Sequence, residues 1–368
     1  MAAPTCMELY AGCYERTTLG YVVNENVNEA KFVIKAKFTD NSHIGYVKTL
    51  AASESFLATG STDETIHLYN LVTNRELGTL LQHNGSITSI CFHGDSHMIS
   101  GSADGTIGIW HTASWELMKS LRAHKGGVNS VAIHPSGKLA LTAGQDKSLR
   151  TWNLVKGRVA YTTNIKQVAD FVSWSPDGEL YIVVGDSIIN VYTITTATIT
   201  SSIDCQRKIL AVSFVTNRIL AVGGEGGNIQ LFELSEGKST CRCDFKAHEN
   251  RVKGIQCTSD RSSQPEENCR WLVTVSSDSH LKIWSVNVET LDEPTLLADV
   301  NTTARLTCVG VRPVLSQSAD SPVGKPGVPM TDKSRESLEE DSTLTKRKNT
   351  GAEQDSRKKK FKARKQRP

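Results

Sequence analysis

The chain carries 368 residues, 38% of them hydrophobic, with 42 Lys+Arg against 39 Asp+Glu for a formal net charge of +3. No run approaches the roughly 18–20 apolar residues that cross a membrane, and Met1–Leu9 lacks the basic start and apolar stretch of a secretory leader. The nine cysteines are scattered without C-x-x-C spacing, which argues against a zinc or disulfide framework and for thiols in a reducing compartment.

Taken from the start, Met7–Tyr14, Leu19–Val23 and Phe32–Phe38 alternate apolar and polar residues between polar turns. Residues 7–40 therefore read as three strands of a sheet whose fourth strand lies elsewhere. A repeat begins at His43, and its units span about 43–80, 83–121, 124–161, 165–202, 207–243 and 248–297. The second and third are the clearest: His83 to His124 is 41 residues, and Asp104 to Asp146 and Trp110 to Trp152 are each 42. A period of that size, opening on His and closing on Asp and an aromatic residue, is the mark of a WD40 propeller blade. Each blade is a small antiparallel sheet that cannot bury its apolar residues without a neighbour.

The polar markers predict one hydrogen-bonded string per blade: His in the leading loop, a hydroxyl on strand b, Asp in the b–c turn, an aromatic residue on strand c. In each well-formed copy the hydroxyl precedes the Asp by four residues. The sets are His43, Thr59, Asp63 and Tyr69; His83, Ser100, Asp104 and Trp110; His124, Thr142, Asp146 and Trp152; and His248, Thr274, Asp278 and Trp284. Units four and five keep the strand pattern but lose the leading His. Val168–Trp174 is the expected first strand of the fourth, and Glu225 stands near the Asp position of the fifth. In the sixth, His248 and Asp278 are 30 residues apart, which predicts an inserted polar loop at 258–269. One further strand at 305–311 has no unit after it. The expectation is an all-β, seven-bladed WD40 β-propeller over residues 1–315. Its N- and C-terminal strands close it, with the seventh blade built from 7–40 plus 305–311.

From Ser316 the composition turns to Ser, Pro, Gly, Lys and Glu, so residues 316–368 are expected to form a disordered tail. Residues 346–368 hold eleven Lys/Arg and two acids, a net of +9; subtracting this from +3 leaves −6 on residues 1–345. Lys346, Arg347 and Lys348, then Arg357, Lys358, Lys359 and Lys360, have the spacing of a two-part nuclear import signal. The expected address is the nucleus and nucleolus, with rRNA phosphates as a contact for the tail.

His, Ser/Thr and Asp are also the ingredients of a nucleophilic triad, but a set that recurs four times with an aromatic attached argues structure. Gly223–Gly227 lies between strands with no helix after it to meet a phosphate. No cofactor or metal motif occurs, and function by binding remains. On the face formed by the leading loops and b–c turns, Lys125, Gln145, Lys147, Glu249 and Arg251 are the candidate partner-binding residues.

Three stretches then carry a resemblance. They are Ala123–Val128 through His134–Leu141 to Arg150–Val155, Phe245–Lys253, and Asn301–Cys308. Over roughly residues 7–312 the chain is similar to the p21-activated protein kinase-interacting protein 1 group of WD-repeat proteins. The resemblance implies a non-enzymatic nucleolar scaffold in large (60S) ribosomal subunit assembly, with pre-60S assembly factors as partners and a monomer within larger complexes. It also implies a negative regulator that binds the N-terminal regulatory region of a p21-activated kinase. A purely cytoplasmic signalling adaptor and kinase inhibitor with no ribosomal role is the alternative.

Overall fold

The computed structural model describes residues 5–26, 31–235, 237–259 and 268–313. Among these, twenty-eight strands form seven four-stranded antiparallel sheets and no helix occurs. Blades 1 to 6 run in chain order over residues 47–80, 87–122, 128–164, 171–204, 209–246 and 252–301, each with strands a to d from the axis outward. Blade 7 takes strand a from Leu306–Pro313 and strands b, c and d from Thr5–Cys13, Thr18–Asn26 and Lys31–Asp40. The chain is a seven-bladed β-propeller whose two ends share one sheet. The expected disordered basic tail at 316–368 lies outside the described residues.

Each seam between blades holds its own apolar cluster, seven clusters for seven seams. At the seam of blades 6 and 7, Met7, Leu9 and Val23 meet Trp271, Val273 and Ile283, and Phe32 packs edge-on against Trp271 at 4.8 Å. One face of a single sheet would leave these residues in water, so each blade is stable only against its neighbours. Polar stitches reinforce the inner ring: the Ser89 hydroxyl accepts from Val131 N–H (3.1 Å), and Ser130 accepts from Val172 N–H (3.2 Å).

The closing blade carries a latch that the repeat pattern gives no sign of. Val311 and Arg312 pair with Leu9 and Glu8, and Glu8 is buried with three donors on its carboxylate. Lys37 Nζ on strand d is at 2.5 Å, Arg312 Nη1 on strand a is at 2.8 Å, and the Tyr10 hydroxyl is in contact as well. Arg312 also donates to the backbone carbonyls of Glu54 (2.6 Å) and Leu71 (3.2 Å) in blade 1. Burial alone would raise the Glu8 pKa, but the hydrogen bonds from Lys37, Tyr10 and Arg312 hold it below its ordinary value.

Two local expectations differ from the structure. Strand a of blade 4 begins at Phe171 rather than Val168. The Gln167 amide turns back onto Ile165 O at 2.8 Å, with Lys166 at φ 63°, and draws the next three residues out of the ladder. In blade 6 the expected loop at 258–269 is shorter at both ends. Thr258 and Ser259 still pair with Trp271 and Arg270, and Cys269 pairs with Asn287. These rungs extend the a and b strands; residues 260–267 lie outside the described residues.

Candidate partner-binding face

The four strings underlie one face of the ring. In blade 3, Trp152 Nε1 donates to Thr142 Oγ1 (2.9 Å), Thr142 meets His124 Nε2 (2.8 Å), and His124 Nδ1 meets Asp146 Oδ1 (2.9 Å). Blade 6 repeats it through Trp284, Thr274, His248 and Asp278 at 3.0, 2.8 and 3.0 Å. Since indole only donates and the carboxylate only accepts, one assignment satisfies every member: Trp to hydroxyl, hydroxyl to Nε2, Nδ1–H to Asp. Burial pushes all four imidazoles down, His248 to about 4, and outweighs the Asp that would raise them; the string therefore runs through a neutral ring. Burial would raise the four Asp carboxyls, yet their hydrogen bonds hold them below the ordinary range.

Blades 1 and 2 vary this plan. In blade 2, Trp110 and His83 meet Ser100 at 2.9 and 2.7 Å, but His83 Nδ1 turns to Thr106 Oγ1 (3.0 Å) and stands 3.5 Å from Asp104. Thr106 relays the link by donating to Asp104 at 2.6 Å. In blade 1, His43 reaches Thr59 (2.9 Å) and Asp63 (3.0 Å), while the Tyr69 hydroxyl donates to Asp40 of blade 7 at 2.6 Å. The phenol hydroxyl sits at the far end of its ring rather than on its edge, and its proton meets the neighbouring blade's carboxylate. All four hydroxyls are fully buried beneath these partners, so no substrate can reach them as nucleophiles.

The Asp at the end of each string also grips the loop above it. Oδ2 accepts from the backbone N–H after the His: Ile44 (2.8 Å), Asn84 (2.9 Å), Lys125 (3.0 Å) and Glu249 (3.0 Å). The next position in the turn takes a left-handed backbone, as Gly105 at φ 85° and Lys147 at φ 58°. Only glycine fits without strain at 105, where a Cβ would also meet His124 O and Gly126 O at 2.7 Å. The buried strings thus fix exposed side chains on one surface. Lys125, Gln145, Lys147, Glu249 and Arg251 are all exposed there. Lys125, Gln145 and Lys147 gather at the corner between blades 2 and 3, whereas Glu249 and Arg251 stand at that between blades 5 and 6. Arg251 lies 3.9 Å from Glu225, a surface pair of little energetic weight.

Blade 5 departs furthest. The strand register places Cys205, Val222, Gly226 and Phe232 where blade 3 has His124, Thr142, Asp146 and Trp152. Gly226, not Glu225, occupies the Asp position, because the b–c turn keeps the same length as in blade 3. Smaller side chains leave a cavity of about 200 Å³ lined by Cys205, Arg207, Gly226 and Gln230. In blade 4, Ile165, Val183 and Tyr192 replace His, hydroxyl and Trp.

A larger cavity of about 800 Å³ runs down the axis from this face, walled by the a strands of all seven blades. Its mouth carries Lys48, Lys208, Arg251, Lys253 and Arg305 against one lining carboxylate, Asp170. Of these only Arg251 is singled out by the repeat pattern, because the others come from different blades and converge only when the ring closes. Across the nine free cysteines, burial pushes Cys13, Cys91, Cys205, Cys257 and Cys308 up to about 12, so these are unreactive thiols.

The WD domain, G-beta repeat family matches residues 74–111, 115–153 and 239–285, the stretches containing the three strings that end in Trp. p21-activated protein kinase-interacting protein 1 of Homo sapiens is 47% identical over 309 residues, 83% of this chain and 77% of its own length. The Danio rerio p21-activated protein kinase-interacting protein 1-like is 42% identical over 305 residues, 83% of this chain and 80% of its own. The chain belongs to the p21-activated protein kinase-interacting protein 1 family. A more distant relative is Shk1 kinase-binding protein 15 of Schizosaccharomyces pombe, 25% identical over 272 residues, 73% of this chain and 75% of its own. The family's propeller is a non-catalytic interaction scaffold.

Proposed function

We propose that this chain is a nucleolar scaffold that assists assembly of the large (60S) ribosomal subunit and restrains a p21-activated kinase by binding its N-terminal regulatory region. What supports the kinase part is likeness along the whole propeller to proteins named for binding such kinases in vertebrates and to the Shk1 kinase-binding protein of fission yeast. Purified full-length chain titrated with the kinase regulatory region should bind at micromolar concentration or tighter and slow kinase activation. Absence of heat and of capture at that concentration removes this role.

The ribosomal part draws on a separate observation, the +9 charge of residues 346–368 with its two basic clusters. The tail would carry the chain to the nucleolus, where pre-60S assembly factors and rRNA phosphates are the partners. Deleting 346–368 should disperse the protein from nucleoli and reduce its co-sedimentation with pre-60S particles. Nucleolar localisation and pre-60S sedimentation that survive the deletion would remove the tail argument, and absence of the full-length chain from both would leave the cytoplasmic adaptor as the better reading.

A further inference from the structure

The charges on the axial cavity run against those of the body around it. Residues 1–313 hold 28 Lys+Arg and 31 Asp+Glu, a net of −3, yet the mouth of the channel is ringed by Lys48 from blade 1, Lys208 from blade 5, Arg251 and Lys253 from blade 6, and Arg305 from blade 7. Two are already engaged: Arg305 by Glu15 at 3.3 Å and by the Tyr14 ring at 4.6 Å, Arg251 by Glu225. Among the described residues, Lys48, Lys208 and Lys253 have no carboxylate within ion-pair distance. Desolvation holds the Lys48 and Lys253 ammonium groups below their ordinary pKa; at Lys253, Arg251 and Lys208 add repulsion and Glu225 partly offsets it. Three cations without a direct ion pair, converging on one concave site whose one lining carboxylate is Asp170, make a favourable position for negative charge, and low-dielectric walls focus that field.

We infer that the channel mouth receives an acidic peptide segment of a partner protein, its carboxylates or phosphate groups set between Lys48, Lys208 and Lys253. The inference rests on the binding-scaffold reading above and gives its partner a chemistry. A peptide fits better than a nucleic acid for two reasons. The five cations of the mouth gather within one concave site about the axis, which a short acidic segment fills and an extended phosphate backbone overruns. Tyr14 and Tyr46, the tyrosines at the rim, are stacked on each other at 5.1 Å and Arg305 covers Tyr14, which leaves the pair poorly placed to take a base between them. Leu50, Ile90 and Phe171 further in offer apolar wall to peptide side chains.

The test uses the full-length chain and a short fluorescent peptide of Asp, Glu and Ser, with its Asn/Gln counterpart as control, read by anisotropy. Wild type should bind the acidic peptide, more weakly as salt rises, and ignore the control. The triple variant Lys48→Gln, Lys208→Gln, Lys253→Gln should lose about tenfold or more in affinity with an unchanged melting temperature, whereas Lys138→Gln with Lys156→Gln, exposed in the turns at the other end of blade 3, should bind as wild type. Equal binding by the triple variant overturns the inference, as does failure of wild type to bind, or binding of single-stranded RNA to the same lysines with the peptide excluded. Failure of the wild-type chain to capture the kinase regulatory region counts against the proposed function alone, since the peptide titration does not contain the kinase.

Discussion

A neutral imidazole is the hinge of each string, and that has a sign. The folded pKa of His248 is lowered from 6.5 to about 4, so the unfolded chain binds the extra proton between those values. Stability from this group is complete above pH 6.5 and is lost as pH falls toward 4; His43, His83 and His124 act in the same direction. The Asp partners extend the loss below their ordinary pKa, because theirs are lowered too. The melting temperature should therefore fall between pH 7 and 4.5, and the fall should be shallower in His248→Gln. A melting temperature that rises on acidification, or a His248→Gln slope equal to wild type, would show that the rings are already charged. The four sets of residues were legible from spacing alone, since a hydroxyl four residues before an Asp is a local fact. The Thr106 relay and the turn of Tyr69 toward Asp40 were not, because each depends on which acceptor a side chain meets across a strand or a seam.

What makes a blade is the agreement of its parts, and blade 5 shows this by losing all four polar members together. Thr142 in blade 3 and Val222 in blade 5 hold equivalent places on strand b, each buried, one inside a satisfied string and the other beside an apolar neighbour. Exchanging them should hurt in both directions. Thr142→Val strands the Trp152 N–H and His124 Nε2, and Val222→Thr buries a hydroxyl with no imidazole to meet; each should cost about 1–3 kcal/mol in urea denaturation. A neutral Val222→Thr would mean that the cavity beside it supplies a partner. Strand order and blade count could be read from the chain because the apolar alternation survives even in blades 4 and 5. Their turn registers could not: Glu225 and Gly226 are adjacent letters, and only the ladder decides which of them takes the Asp place.

Ring closure is the property of the whole molecule, and Glu8 holds it. This carboxylate on strand b of blade 7 joins Lys37 on strand d to Arg312 on strand a, and Arg312 in turn grips blade 1. Glu8→Gln leaves two cations facing a neutral amide, and loss of one partner from a buried pair costs about 3–5 kcal/mol. The denaturation midpoint should drop accordingly, while Arg242→Gln, whose partner Glu233 is 45% exposed, should shift it little. An unchanged midpoint for Glu8→Gln would show that apolar contacts alone close the seam. The same arrangement shapes the chain's history during synthesis. Residues 5–40 emerge first and then wait for residues 306–313 before the inner edge of their sheet is covered. At about 5–20 residues per second, that interval is some tens of seconds. Throughout it the nascent protein is an open arc with a bare β edge and an uncovered apolar flank, a sticky intermediate that any prematurely terminated product would keep for good.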